Sequence, residues 1–200
     1  MKYFFLTVLL APAISAFLLD TLGLDTNVQT VKELDVSKYL GRWYQMYASQ
    51  SVFATFERGA VCVTADYTMS TDGSGRIIVL NSERQRNGNG TAKIIHGYAT
   101  PSGEVGKLSV HLETVAFSAP YWVVQLGPAT FGPNNAYEYA VVTDNLKATL
   151  FVLARDPDNF KILHEASVLQ YLRDNGFTKP LNTPVSTYHG DDCLYNPNHQ

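Results

Sequence analysis

The sequence between Gly41 and Arg155 alternates apolar and polar residues in runs of about seven to eleven, a pattern typical of antiparallel strands with one buried face. Turn-forming segments rich in Gly, Asn, Asp and Pro separate the runs, so we expect hairpins between neighbouring strands. The eight predicted strands cover residues 41–48, 60–70, 75–85, 92–99, 106–113, 120–126, 137–144 and 149–155. Eight consecutive hairpin strands remove their exposed edges when they close on themselves. We therefore predict an all-β, eight-stranded antiparallel up-and-down barrel, with a two-sheet sandwich as the alternative.

The hydrophobic period changes after the last predicted strand. Apolar residues then recur at steps of three and four, preceded by Asp156 and Pro157 and followed by Gly176. Aspartate and proline favour the start of a helix and glycine its end, so the pattern predicts one amphipathic helix over about 158–175. We expect this helix to pack on the barrel wall, and a C-terminal tail, residues 177–200, to follow it.

Residues 1–16 combine one positive charge, a short apolar run and small residues before a cleavage site after Ala16. These features are typical of a secretory signal peptide, and the run is shorter than the roughly 20 residues of a membrane-spanning helix. We therefore expect a secreted, extracellular protein whose single mature domain comprises residues 17–200, with the barrel over about 41–155. Loss of Lys2 lowers the basic residues from 15 to 14 against 18 acidic ones, which gives no reason to expect a nucleic-acid partner.

The chain has two cysteines, which in an exported protein most often form a disulfide, here between Cys62 and Cys193. Alternation along residues 60–69 places Val61 and Val63 on the inner face of a strand and Cys62 on its outer face. A catalytic thiol would have to be free and face the interior, so the pattern counts against one. An enzyme that acts on a lipid through the Cys62 thiolate remains an alternative hypothesis.

No other group of residues in the sequence indicates catalysis. The five histidines show no paired spacing typical of a metal site, and the motifs of a nucleophile elbow, a phosphate-binding loop or a zinc protease do not occur. We therefore predict no catalytic residue, no metal and no cofactor.

Five short motifs, taken in order, resemble the lipocalin family, above all its apolipoprotein D-like and bacterial branches. Together they extend the resemblance from about Val36 to Cys193. The motifs are Gly41-Arg42-Trp43-Tyr44, Phe56-Glu57-Arg58-Gly59, Ser118-Ala119-Pro120-Tyr121-Trp122, Thr143-Asp144-Asn145 and Leu153-Ala154-Arg155-Asp156-Pro157. The resemblance implies a barrel with one closed end, one open mouth and an interior that holds one small lipophilic ligand.

The resemblance also implies structural roles for several motif residues. Trp43, after Gly41, would plug the closed end, and Arg155 would lie across it. The second family motif is usually Thr-Asp-Tyr, and Thr143 and Asp144 match its first two positions. Asn145 departs from the third, which leaves the closed-end loop less well defined than the barrel.

The expected function is that of a secreted carrier of a fatty acid, steroid, retinoid or pigment. Strand phase predicts Val63, Tyr67 and Val110 among the apolar lining, which would bind by removing apolar surface from water. The family resemblance adds Asn81, Glu83 and Phe151 to Tyr67 as ligand-binding positions. Strand 75–85 has apolar residues on both phases, so the sequence leaves open whether Asn81 and Glu83 face the interior or the solvent.

Two further expectations concern the surface. The loops Ser49–Arg58 and Thr114–Pro120 would flank the open mouth, and their phenylalanines could contact a receptor or a membrane, which is a third hypothesis for function. Asn89-Gly90-Thr91 is the only Asn-x-Ser/Thr sequence in the chain, so a glycan is expected on Asn89 if the source is a eukaryote. The oligomeric state does not follow from the sequence.

Overall fold

The computed structural model describes residues 27–196, together with Leu18, Thr21, Leu24 and Asp25. The predicted signal peptide, residues 1–16, lies outside the described residues. All eight predicted strands are found, with ends that shift by a few residues. The strands are β1 (Gly41–Ser49), β2 (Ala60–Met69), β3 (Ile77–Gln85), β4 (Ala92–Pro101), β5 (Lys107–Leu112), β6 (Ala119–Leu126), β7 (Ala129–Phe131), β8 (Ala136–Tyr137), β9 (Tyr139–Thr143), β10 (Leu150–Ala154) and β11 (Pro184–Ser186).

Eight of these strands form a closed antiparallel barrel. Each of β1 to β5 pairs with the next strand along the chain, β6 pairs with β9, β9 with β10, and β10 pairs with β1 to close the ring. The short strands β7 and β8 form a separate hairpin beside the closed end. Because a sandwich would leave the first and last strands unpaired with each other, the β1–β10 ladder confirms the predicted barrel.

Short helices lie before the first strand, between β1 and β2, and after the last strand of the barrel. They are α1 (Val36–Tyr39), α2 (Gln50–Ala54), α3 (Pro157–Leu163) and α4 (Glu165–Asp174). The C-terminal helix packs on the wall as predicted, with Phe160, Val168 and Leu172 buried against outward-facing residues of β9 and β10. The predicted helix over about 158–175 is present, but it is divided into α3 and α4 at His164, which leaves helical geometry and whose ring bonds the Glu138 carboxylate on the barrel.

The closed end is built around Trp43, which is completely buried. The Arg155 guanidinium lies 3.6 Å from the centre of the indole ring, in a cation–π contact. Gly41 is required beside this contact, since it has a φ of 93° and a Cβ there would lie 3.2 Å from Arg155 Nη1. These three residues therefore form the plug that the family resemblance implied.

The Thr143-Asp144 motif lies at the opposite end of β10 from Arg155, in the open-end turn between β9 and β10. The Asp144 carboxylate accepts hydrogen bonds from the backbone N–H groups of Leu146 and Thr149, and the Thr143 hydroxyl donates to the Thr149 carbonyl. The prediction that the Thr143-Asp144 motif lies in a closed-end loop is therefore wrong. The segment between β6 and β9 that occupies that end carries the β7–β8 hairpin instead.

Strand β2 contains a bulge that the sequence pattern does not show. Cys62 has a φ of 54°, and the pairing with β3 shifts between Val61 and Thr64. Val61 lies opposite Arg84 on the outer face, so its predicted inward orientation is wrong. Cys62 is bonded to Cys193 on the outside of the barrel, which confirms the predicted disulfide.

The C-terminal segment completes the wall where β1 and β2 separate. Its strand β11 pairs with the open half of β1, and the Thr187 N–H donates to the Met46 carbonyl. On the other side, the Cys62 N–H donates to the Tyr188 carbonyl. Residues 184–188 therefore fill the gap between the two strands.

Candidate ligand-binding interior

The register of β3 decides which side of the barrel Asn81 and Glu83 occupy. Asn81 lies opposite Ala65 of β2, and Ala65 belongs to the buried core with Val79, two positions before Asn81. Since alternate residues of a strand share one face, Asn81 and Glu83 both face the interior. The question that the sequence left open is thus answered by the strand pairing.

Apolar side chains line the interior on the other side of the open half. Val110 and Leu112 of β5 and Phe151 of β10 face inward and pack against the closed-end core, yet all three remain partly exposed. Inward-facing residues nearer the closed end, such as Val123 and Val142, are fully buried. Solvent therefore reaches the interior from the open end and stops at the closed-end core.

Tyr67 lies deeper than expected, at the floor of the interior. Its ring stacks on Tyr39 of α1 at 5.9 Å, and its hydroxyl lies 3.2 Å from that of Tyr121, which lies 2.7 Å from the Tyr39 hydroxyl. Burial raises the pKa of Tyr67 to about 12, so the hydroxyl stays protonated at neutral pH. Three hydroxyl groups joined by two hydrogen bonds leave one hydroxyl proton that neither of these bonds uses.

Val63, the remaining predicted lining residue, lies within the β2 bulge and is buried. The structure thus places Asn81, Glu83, Val110 and Phe151 around the open half. It assigns Tyr67 to the floor, below them.

A polar cluster at the mouth was missed by the sequence analysis. We call it the mouth cluster. Its members lie at the open end, and their side chains are hydrogen-bonded, ion-paired or close enough to interact electrostatically. They are Gln45, Glu57, Glu83, Gln85, Lys93 and Thr187. Gln45 Nε2 donates to Glu57 Oε2 at 2.6 Å and lies 3.2 Å from Thr187 Oγ1. Lys93 Nζ lies 3.1 Å from Glu83 Oε1.

A family model described as a lipocalin-like domain matches residues 34–186. This chain belongs to the lipocalin family. Apolipoprotein D of Bos taurus is 36% identical over 114 residues, or 56% of this chain and 54% of that protein. Temperature-induced lipocalin-1 of Arabidopsis thaliana is 29% identical over 155 residues, or 71% of this chain and 76% of that protein. The match with apolipoprotein D thus spans about half the length of that relative.

Solved structures show the same fold. Lobster apocrustacyanin A1 superposes with a TM-score of 0.55 at 18% sequence identity, covering 80% of this lipocalin and 82% of that chain. Apocrustacyanin C2 superposes with a TM-score of 0.57 at 17% identity, covering 80% and 83%. At such low identity these likenesses establish the lipocalin fold alone.

The disulfide bears directly on the enzyme hypothesis for this lipocalin. Both cysteines of the chain are described and are bonded to each other, so Cys62 has no thiol to act as a nucleophile. Among the described residues, the interior of the barrel thus combines an apolar wall, tyrosine hydroxyls at the floor and charged side chains at the mouth. None of the described helices is long and apolar enough to cross a membrane.

The sequence did contain signals for the mouth cluster. Gln45 lies two positions after Trp43 on the inward phase of β1, where a polar residue is unusual because such positions are normally apolar. Glu57 belongs to the Phe56-Glu57-Arg58-Gly59 motif, which indicates the family but not a role for this carboxylate. Thr187 gave no signal, since its place in the wall depends on the pairing of β11.

Proposed function

We propose that this lipocalin is a secreted carrier that holds one small lipophilic molecule, such as a fatty acid, steroid, retinoid or pigment, and releases it unchanged. The proposal rests on a contrast in exposure: inward-facing apolar residues are partly exposed in the open half of the barrel and buried in the closed half. Val110, Leu112 and Phe151 are apolar, inward-facing and still partly exposed, so a ligand there would remove apolar surface from water.

The polar groups of the interior would orient such a ligand. The spare proton of the tyrosine hydroxyls at the floor fits a carbonyl, hydroxyl or ether oxygen at one end of the molecule. Asn81, halfway along β3, offers both a donor and an acceptor to the ligand's middle. The disulfide favours the extracellular part of the proposal, because such bonds persist in oxidising compartments.

The carrier proposal predicts that Phe151→Ala weakens binding of N-phenyl-1-naphthylamine, a neutral fluorescent lipophile. Loss of the contact area of one aromatic ring should raise Kd by about 5- to 30-fold, or roughly 1–2 kcal/mol at about 25 cal/mol per Å². Fluorescence titration of protein shown to be folded by circular dichroism measures the effect. Phe131→Ala, on the β7–β8 hairpin beside the closed end, is the matched control and should leave Kd unchanged. Equal affinities for wild type and Phe151→Ala would contradict the proposal.

A second candidate function is a protein or membrane contact through the open-end loops. Phe56 is 63% exposed and Phe117 is 72% exposed, and both lie in loops at the mouth. Exposed aromatic residues at one end of a molecule are typical of contact surfaces. A Phe56→Ser/Phe117→Ser variant that retains lipophile binding but loses vesicle or receptor binding would support this role.

A glycan on Asn89 is predicted if the protein is secreted by a eukaryotic cell. The side chain is exposed in the turn between β3 and β4, so a transferase could reach it. Treatment of the secreted protein with an N-glycosidase should lower its mass, and Asn89→Gln should abolish that difference. An unchanged mass would show that the site is not used.

A further inference from the structure

The mouth cluster holds two carboxylates and one ammonium group at the entrance to the interior. Glu83 is paired with Lys93, and its other contact is a hydrogen bond from Gln85 Nε2 at 2.5 Å. Glu57 accepts a hydrogen bond from the amide of Gln45, and within the described residues it has no ion pair of its own. When both carboxylates are ionised, the mouth cluster by itself therefore carries one uncompensated negative charge.

The surroundings of Glu57 make ionisation of its carboxylate unfavourable. Gln45, whose amide donates to this carboxylate, is only 3% exposed, and the side chain of Glu83 is 8% exposed. The Lys93 ammonium is shared, since it also donates to the Phe56 carbonyl at 3.3 Å. Charges interact more strongly in such a partly dehydrated site than in water.

The pKa of Glu57 is raised to about 7, chiefly by burial and also by the neighbouring Glu83 carboxylate, against the opposing effects of Gln45 and Lys93. A proton should thus leave or join this carboxylate near neutral pH. The adjacent Arg58 is turned away and donates to the Ala54 carbonyl.

We propose that Glu57 is a specificity-determining residue, whose protonation sets whether the mouth admits ligands with an anionic head. This inference rests on the proposed carrier function. With Glu57 neutral, the Glu83 and Lys93 charges balance and an acidic amphiphile can enter. With Glu57 ionised, the excess negative charge repels the same ligand, whereas a neutral lipophile binds equally in both states.

One other titratable group lies behind the cluster. His189 Nε2 bonds the backbone carbonyl of Gln45, and burial lowers the pKa of His189. This imidazole should therefore stay neutral above pH 6.5, so a change between pH 6.5 and 8.5 reports on the carboxylates.

The test uses two fluorescent probes with fixed charge. 1-Anilinonaphthalene-8-sulfonate is anionic throughout this range, and N-phenyl-1-naphthylamine is its neutral analogue. The sulfonate should bind on the order of three- to tenfold more tightly at pH 6.5 than at pH 8.5, as expected for one charge at a distance of several ångströms in a site of intermediate polarity. The neutral probe should show the same Kd at both pH values.

Two variants assign the effect to this cluster. Glu57→Gln keeps the amide–oxygen hydrogen bond and should bind the sulfonate tightly at both pH values. Glu83→Gln removes the like charge and should shift the transition in sulfonate binding to lower pH. Glu104→Gln, which makes the same change in net charge at an exposed closed-end turn, should behave like wild type.

The possible results separate this inference from the carrier proposal. Failure of the neutral probe to bind would overturn the carrier function itself. Normal neutral binding with a sulfonate affinity that does not vary with pH would overturn the role of Glu57 alone. A pH dependence that persists in Glu57→Gln would also overturn it and assign the titration to another group.

Discussion

Arg155→Ala should lower the free energy of unfolding by about 3–4 kcal/mol, which is large for a single substitution. The guanidinium is buried and makes its cation–π contact with Trp43. Its N–H groups also donate to backbone carbonyls of the closed end. The acceptors are Lys38 and Leu40, Arg42 at 2.7 Å, and Tyr137. Truncation would remove these charged donors from the four carbonyls, and hydrogen bonds from charged donors contribute more than neutral ones.

Urea denaturation measures this effect, and binding of N-phenyl-1-naphthylamine to the folded variant separates stability from function. Because Arg155 lies below the closed-end core, the affinity of the folded fraction should change less than twofold. Arg173→Ala, an exposed arginine on α4, is the control and should cost less than about 0.5 kcal/mol. A strong loss of affinity in folded Arg155→Ala would show that the closed end also contributes to the ligand site.

Removal of the disulfide should produce the other large effect. The bond joins residues 131 positions apart, and for a loop of this length the chain-entropy account gives about 4–5 kcal/mol as an upper value. Residual structure in the unfolded chain lowers this figure, so we expect the Cys62→Ala/Cys193→Ala variant to lose about 2–4 kcal/mol. The melting temperature should fall accordingly.

Lipophile binding at low temperature should survive in this double variant, because the disulfide lies outside the barrel. Replacing both cysteines together avoids a free thiol that could pair between molecules. Wild type treated with a reductant is the second arm and should melt near the same temperature as the variant. Failure of the folded double variant to bind lipophiles would show that the C-terminal segment, held by the disulfide, is needed to form the ligand-binding interior.

Much of the fold could be predicted because alternation is a local property. In a strand with one face in the core, apolar residues recur at every second position. This pattern can be recognised without knowing the register between strands. The bulge at Cys62 cannot be recognised from this alternation. It is fixed by pairing with β3 and by the disulfide to Cys193, both distant in sequence.

The break in the C-terminal helix shows the same limit. The apolar period continues through His164, and only the contact with Glu138 on the barrel reveals why the chain leaves helical geometry there.

The inward-facing wall was predicted in part, since Val110 lies on a regular strand. The mouth cluster was not predicted, because it joins side chains from β1, β3, β4, the loop before β2 and the residue that follows β11.

The position of β11 has a consequence for biosynthesis. The open half of β1 finds its partner in Pro184–Ser186, a segment that leaves the ribosome well over 100 residues later. Until then, that part of β1 is an unpaired edge, which favours association with other chains. Cys62 must likewise wait for Cys193. Completion of the barrel wall and formation of the disulfide are therefore late events, and a chain that ends before residue 184 would keep an open seam.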